Sequence, residues 1–173
     1  MTPAPRAVRV ATARDINEIV RVTNAAYRVE DFFIDGDRTC FAEVAEKMAM
    51  PGCAFLVIDA QCAHHVDAVN HGSAAGLAAS VYVEGRGDRT YFGMLSVAPA
   101  HQGTGLARVL IDGVETRARA RGCKVVEIDV VNLRTELPSF YDAMGFKVAG
   151  TAPFLKGHKL KKPVHMILME KAL

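Results

Sequence analysis

Gln102-Gly103-Thr104-Gly105-Leu106-Ala107 is the stretch of this chain whose residue types and spacing best suit anion binding. It follows an apolar, strand-like run ending at Pro99 and opens the amphipathic run that continues to Arg121. Amides at a helix N-terminus are unpaired and point outward, and glycine lets backbone approach a phosphate closely. A P-loop needs Gly-Lys-Ser or Gly-Lys-Thr, and the chain contains neither. A dinucleotide turn needs a small residue at the position held by Arg108, and a second nucleotide-binding half that is missing here. The pattern that does match is Q/R-x-x-G-x-G/A, in every position. A plain tight turn before a helix is the alternative reading of two glycines alone.

The elements that must position this turn follow from hydrophobic spacing. A short strand covers "RAVRVAT", and a helix is expected over about 13–28, with Ile16, Ile19, Val20, Thr23 and Tyr27 on one face. The loop "VEDFFIDGDR" leads to a second helix bearing Phe41, Val44, Ala45 and Met48 on one side. "AFLVIDA" reads as a strand. "QCAHHVDAVNHGSAA", with His64, His65 and His71, reads as a long polar hairpin loop rather than a metal site. "GLAASVYVEG" and "DRTYFGMLSVAP" are strands joined by a turn at Gly85 to Asp88, whose letters RGD mark a hairpin.

A helix over 105–121 follows, with Leu106, Val109, Leu110 and Val114 facing inward. "CKVVEIDVV" is apolar enough to be a strand buried on both faces. A short helix over about 136–144 carries Pro138 in its first turn and Gly145 as its C-cap. Two strands, "FKVAGTA" and "VHMILME", flank a loop with Lys156, His158, Lys159, Lys161 and Lys162. One right-handed β-α-β crossover among hairpins gives a mixed α/β sheet of about seven strands, with about four helices on both faces.

Composition narrows the classes. The 173 residues suit one domain, 1–173, able to bury a core without disulfide or metal staples. Half the residues are hydrophobic and the net charge is +2, too mild to imply nucleic acid. Cys40, Cys53, Cys62 and Cys123 form no CxxC pair, so reduced thiols and no metal are expected. No signal-peptide run or membrane-length apolar stretch is seen, so no membrane partner and a cytoplasmic location are expected.

Four segments, in order, resemble the GNAT superfamily of acyl-CoA-dependent N-acyltransferases. "RVATARDINEIVRVTNAAY" is similar to that family's first strand and helix, and "MLSVAPAHQGTGLARVLI" to its fourth strand, anion loop and third helix. "VVNLRTELPSFYDAMGF" is similar to the fifth strand and fourth helix, with the Tyr-x-x-x-Gly-Phe ending at Tyr141 to Phe146. The resemblance implies acetyl-CoA as co-substrate, its pyrophosphate held by Gln102, Gly103, Thr104, Gly105, Leu106, Ala107 and Arg108. It implies a bulged fourth strand diverging from the fifth, with Leu95 and Val97 pairing the pantetheine arm and Asn132 as a further contact. The spacing from Asn132 to Tyr141 departs from the commonest family spacing, which bears on Asn132 more than on Tyr141.

Acetyl transfer to an amine must polarise a thioester carbonyl, protonate a thiolate and neutralise the amine. The resemblance gives Tyr141 the proton-donor role; packing beside Leu137 and Met144 is its alternative. Many family members carry a Glu or His base on the fourth strand, where this chain reads Thr90-Tyr91-Phe92-Gly93-Met94. Glu30, Asp31, Asp129 and Glu136 are candidate substitutes, each with a solvated or ion-paired acid as its alternative reading, and the sequence singles out none of them as the base. Glu30, Phe32 and Phe33, in the acidic loop, are the implied acceptor contacts. The implied acceptor is a small-molecule or peptide amine, and a homodimer is in keeping with the family. The competing functions are a CoA-binding sensor without transfer, which the missing strand-borne base favours, and an unrelated nucleotide-binding regulator, which lacks a Lys or acidic ribose contact.

Overall fold

The computed structural model describes residues 7–60, 76–155 and 160–173. The polar stretch with Cys62, His64, His65 and His71 lies outside them, as do Lys156, His158 and Lys159. Among the described residues seven strands form one sheet: β1 (Val8–Val10), β2 (Cys53–Asp59), β3 (Leu77–Arg86), β4 (Arg89–Val97), β5 (Val125–Val131), β6 (Lys147–Pro153) and β7 (His165–Ala172). Their spatial order is β1-β2-β3-β4-β5-β7-β6. Neighbours are antiparallel except β4 and β5, which are parallel and joined by the crossover helix α3 (Leu106–Ala120).

Helices α1 (Ile16–Ala26) and α2 (Phe41–Ala49) cover one face of the sheet; α3 and α4 (Glu136–Asp142) cover the other. Under α3 and α4 lie Leu110, Ile111, Val114, Phe92, Val126, Ile128 and Phe146, all buried. Under α1 and α2 lie Ile19, Val22, Val44, Phe55 and Val57. No described helix is long and apolar enough to cross a membrane.

Several expectations shift in detail. The first helix is shorter than the 13–28 run: 3₁₀ turns occupy Ala13–Asp15 and Tyr27–Glu30 on either side of α1. Thr12 and Asp15 form a capping box, which tightens the entry turn. Val20 is only partly buried, and Val22 takes the inward place. Phe41, the first residue after the N-cap, leaves the apolar stripe of α2 and is 55% exposed. The hairpin turn tightens to Gly87 and Asp88, with Gly87 at φ 67°.

The correction that matters most is β5. It is not buried on both faces. Val126, Ile128 and Val130 are buried under α3 and α4, while Glu127 and Asp129 alternate onto the opposite, partly open face. At the near end of β5, Arg89 of β4 donates to both Glu127 and Glu170, clasping β4, β5 and β7 together.

Candidate active site

β4 carries a bulge. Ser80 pairs with Ser96 but Tyr82 pairs with Gly93, so two residues of β4, Met94 and Leu95, oppose Val81 alone. Met94 has φ 52°, the one non-glycine at positive φ among the described residues. Past Tyr91 the strands part: the parallel pairing with β5 covers only Arg89, Thr90 and Tyr91. The Ala98 amide donates to Ala78 on the β3 side, and Ser96 pairs the same way. Alternate residues of a strand present their backbone groups to the same side. The N–H and C=O groups of Leu95 and Val97 therefore face the gap, where no strand meets them.

This gap is the floor of a groove of about 740 Å³. One end is the anion turn. Gly103 and Gly105 have φ of 73° and 83°, and a Cβ built on either meets nothing within 4 Å. A side chain there would be strained and would fill the cradle. The first amides satisfied in α3 are those of Arg108 and Val109, both on the Gly105 carbonyl, so the Leu106 and Ala107 amides precede the helical ladder. Gln102 Nε2 donates to the Val97 carbonyl at 3.2 Å, bracing the turn against the strand end. Thr104 turns its hydroxyl back onto the His101 carbonyl. The Arg108 guanidinium lies 6.0 Å from the Phe140 ring centroid, at the groove wall. A positively biased cradle with close backbone access fits a pyrophosphate.

Tyr141, 4% exposed, enters the groove from the α3/α4 side. Its ring meets Phe140, Phe146 and Phe92 edge-on at centroid distances of 5.1, 5.8 and 6.1 Å. Burial first, then Tyr27, pushes its phenol well above the ordinary value of 10.0, so the proton stays on the oxygen. Tyr141 is thus a core ring that also lines the groove.

The α1/α2 side of the same gap holds acids and arginines. Asp129 Oδ1 accepts from the Tyr91 hydroxyl at 2.6 Å. Burial and then the Asp129 charge push the Tyr91 phenol upward, so that proton belongs to Tyr91 and the carboxylate is the acceptor. A Cβ on Gly93 would lie 2.5 Å from the Tyr91 hydroxyl, so glycine is what lets Tyr91 reach Asp129. Glu30 is 3% exposed and clamped between Arg134 at 3.2 Å and Arg38 at 3.1 Å. Glu136 is held at 2.6 Å by Arg134, and Asp31 is a surface residue beside Arg28. Of the four candidate bases, Asp129 is therefore the one that lines the groove without a described cation within salt-bridge distance.

Three expected contacts sit elsewhere. Phe33 is fully buried with Ile34, Val131 and Met166, so it supports the groove wall from behind and has no surface to offer an acceptor. Phe32 is 45% exposed and packs against Phe33 and under Lys162, outside the groove lining. Asn132 is committed to β7: its amide donates to the His165 carbonyl, and its Oδ1 accepts from the His165 amide at 2.9 Å. With these two bonds Asn132 ends the β5–β7 ladder. Conversely, Tyr27, Arg38, Tyr91 and Arg134 line the groove with no sequence pattern to announce them.

The model of the acetyltransferase (GNAT) family matches residues 22–146, well over half of the chain. The chain belongs to the GNAT family. No curated protein sequence matches it significantly. Among solved structures, it resembles the ribosomal-protein-S18-alanine N-acetyltransferase from Escherichia coli, with TM-score 0.74, 14% identity, and coverage of 96% of this chain and 92% of that one. It also resembles a GNAT superfamily phosphinothricin acetyltransferase from Sinorhizobium meliloti in complex with AcCoA, with TM-score 0.74, 14% identity, and coverage of 96% and 88%. A ribosomal-protein-alanine N-acetyltransferase from Brucella melitensis gives TM-score 0.69, 18% identity, and coverage of 96% and 99%. At such identities the likeness establishes the fold. The bulged β4, the parted β5 and the glycine turn are this GNAT chain's own version of it.

Proposed function

We propose that this GNAT chain is an acetyl-CoA-dependent N-acetyltransferase that moves an acetyl group to a primary amine by direct attack on the thioester. The observation that carries the reading is the open seam between β4 and β5. It has an anion cradle at one end, backbone at Leu95 and Val97 that no strand pairs, and a phenol and a carboxylate reaching it from opposite faces of the sheet.

Acetyl-CoA supplies the activated acetyl group. The Gln102 to Arg108 turn binds the pyrophosphate through backbone amides and the Arg108 charge. Leu95 and Val97 bind the pantetheine arm as a strand binds a strand, and a fixed amide at the seam stabilises charge developing on the carbonyl oxygen. Asp129 takes a proton from the incoming ammonium, with Tyr91 holding the carboxylate in place. The amine lone pair forms the new N–C bond as the C–S bond breaks, and the nitrogen then sheds its second proton to solvent to leave the neutral amide. Tyr141 gives its hydroxyl proton to the departing sulfur and is reprotonated from solvent. A cytoplasmic location belongs to the same reading. The non-catalytic sensor drew its support from the lack of a base on β4; Asp129, supplied from β5, weakens it.

The test is amine-dependent release of thiol from acetyl-CoA across a panel of primary amines. Release with at least one amine is expected. A melting temperature raised by CoA but no release with any amine would leave a binding module, and no effect of millimolar CoA would overturn the assignment of the cradle.

A further inference from the structure

We propose that the acceptor is a free amino acid, recognised through its carboxylate by Arg38; the inference rests on the acetyl-transfer reading and narrows its substrate class.

Arg38 follows the 3₁₀ turn Tyr27–Glu30 in the loop before α2, and its side chain is 9% exposed. Its guanidinium stacks 4.9 Å from the Tyr27 ring centroid. One edge meets Glu30, Nη2 to Oε2 at 3.1 Å. The other edge has no partner: Nη1 is buried and makes no hydrogen bond. A buried guanidinium nitrogen without an acceptor is costly, and the geometry of the fork suits a carboxylate.

The local charge agrees. Arg38 and Arg134 both lean on the single buried carboxylate of Glu30. Arg134 has a second partner in Glu136, a 59% exposed carboxylate in the groove lining, whereas Arg38 has none besides Glu30 among the described ion pairs. Glu30 is thus shared between two guanidiniums, and it leaves Nη1 of Arg38 without an acceptor. Asp129 lines that same groove and offers the complementary acceptor for an ammonium. A molecule carrying both an ammonium and a carboxylate satisfies the two together; a simple polyamine satisfies one and is repelled by the other.

A second cavity of about 540 Å³ adjoins the groove and shares Tyr27, Arg38, Tyr91, Gly93 and Met94 with it. It extends toward Thr23, Glu43 and Lys47. Thr23 Oγ1 there is also buried without a hydrogen-bond partner. This is room for the side chain of the amino acid, and a polar one is better accommodated than an apolar one.

The experiment compares serine, threonine, asparagine, glutamine and histidine with their own carboxamides as acceptors for the wild-type enzyme with acetyl-CoA. Each pair keeps the amine and side chain and differs in the carboxylate. At least one acid should exceed its carboxamide in kcat/KM by about 10- to 100-fold, the scale of losing a charged hydrogen bond. Arg38→Gln should bring that ratio toward one, and Arg38→Lys should restore part of it. Equal or better use of the carboxamides by wild type overturns the inference without any variant needing to fold. Thiol release with other primary amines, but with none of the ten compounds, also overturns it and leaves N-acetyl transfer standing. No release with any amine sinks the transfer reading itself.

Discussion

Replacing Tyr141 by Phe removes one hydroxyl from a residue otherwise fully engaged in packing. The three edge-on contacts with Phe92, Phe140 and Phe146 involve the ring and survive the change. Each such pair is worth about 0.5–1.5 kcal/mol and none is lost. Stability should therefore change by less than about 1 kcal/mol. The chemistry should suffer far more. A positioned general acid contributes about 10²-fold or more, and two decades correspond to about 2.7 kcal/mol of barrier. Burial raises the Tyr141 phenol, so it is a weaker acid than tyrosine in water. Two consequences follow. Its proton is retained through ordinary assay conditions, so wild-type activity should show no alkaline limb from Tyr141 below about pH 10. A more acidic thiol needs less protonation as it leaves, so an acyl donor carrying one should shrink the loss. The assay is kcat at saturating donor for both proteins, beside a melting curve and a CoA titration. The expected result is a turnover about 10²-fold lower, with unchanged CoA affinity and melting temperature. Wild-type turnover in a stably folded Phe variant would refute the assignment and leave Tyr141 as a core ring.

Three other outcomes are expected. Gly105→Asp should weaken CoA binding at least tenfold, by order of magnitude, in a folded protein, because φ 83° disfavours any side chain and the carboxylate would face the pyrophosphate; a calorimetric titration decides it. Asp129→Asn should lower kcat by about 10²-fold at neutral pH while leaving the CoA titration unchanged, and unaltered kcat would remove Asp129 as the base. Asp15 is held down to about 2 from 3.8 by hydrogen bonds from Arg9, opposed by burial and assisted by the Thr12 amide. Because its folded value is depressed, its stabilisation is complete above pH 4 and is lost as pH falls toward 2. The nominal worth, about 2.5 kcal/mol, reduces to about 1 kcal/mol once the exposure of Arg9 to solvent is counted. Asp15→Asn should cost that amount in urea melts at pH 7 and much less at pH 2, and equal costs at both pH values would contradict the linkage.

The sequence was most legible where one local pattern decides the structure. The glycine turn, the apolar stripe of α3, the Pro138 start and Gly145 end of α4, and the strand alternation all depend on neighbours within a few residues. The acceptor side was least legible. Glu30, Arg38 and Arg134 meet only because the loop before α2 folds over the far end of β5, and separations of that kind leave no periodic trace. Asp129 hid in a strand that looks apolar throughout, although its even spacing with Glu127 marks the open face. Phe33 misled for the opposite reason, since an aromatic beside an acidic loop reads equally well as contact surface or as the core it proves to be.

The clasp at Arg89 gives the seam a mechanical character. β1 to β4 form one plate and β5, β7 and β6 another; they are stitched directly over three residues and held at that end by one arginine gripping Glu127 and Glu170. Beyond the stitch the plates diverge like the blades of shears with the pivot at Arg89. The backbone donors at Leu95 and Val97 ride on one blade, and Asp129 rides on the other. An arm laid between the blades is then both cargo and gauge, because its own thickness sets the opening at which these groups act. Short of the open end, the Tyr91 hydroxyl on one blade already holds the Asp129 carboxylate on the other at 2.6 Å, so the arm gauges only the opening beyond that tie. On the proposed reading the donor itself completes the spacing of that outer seam, where Leu95 and Val97 lie.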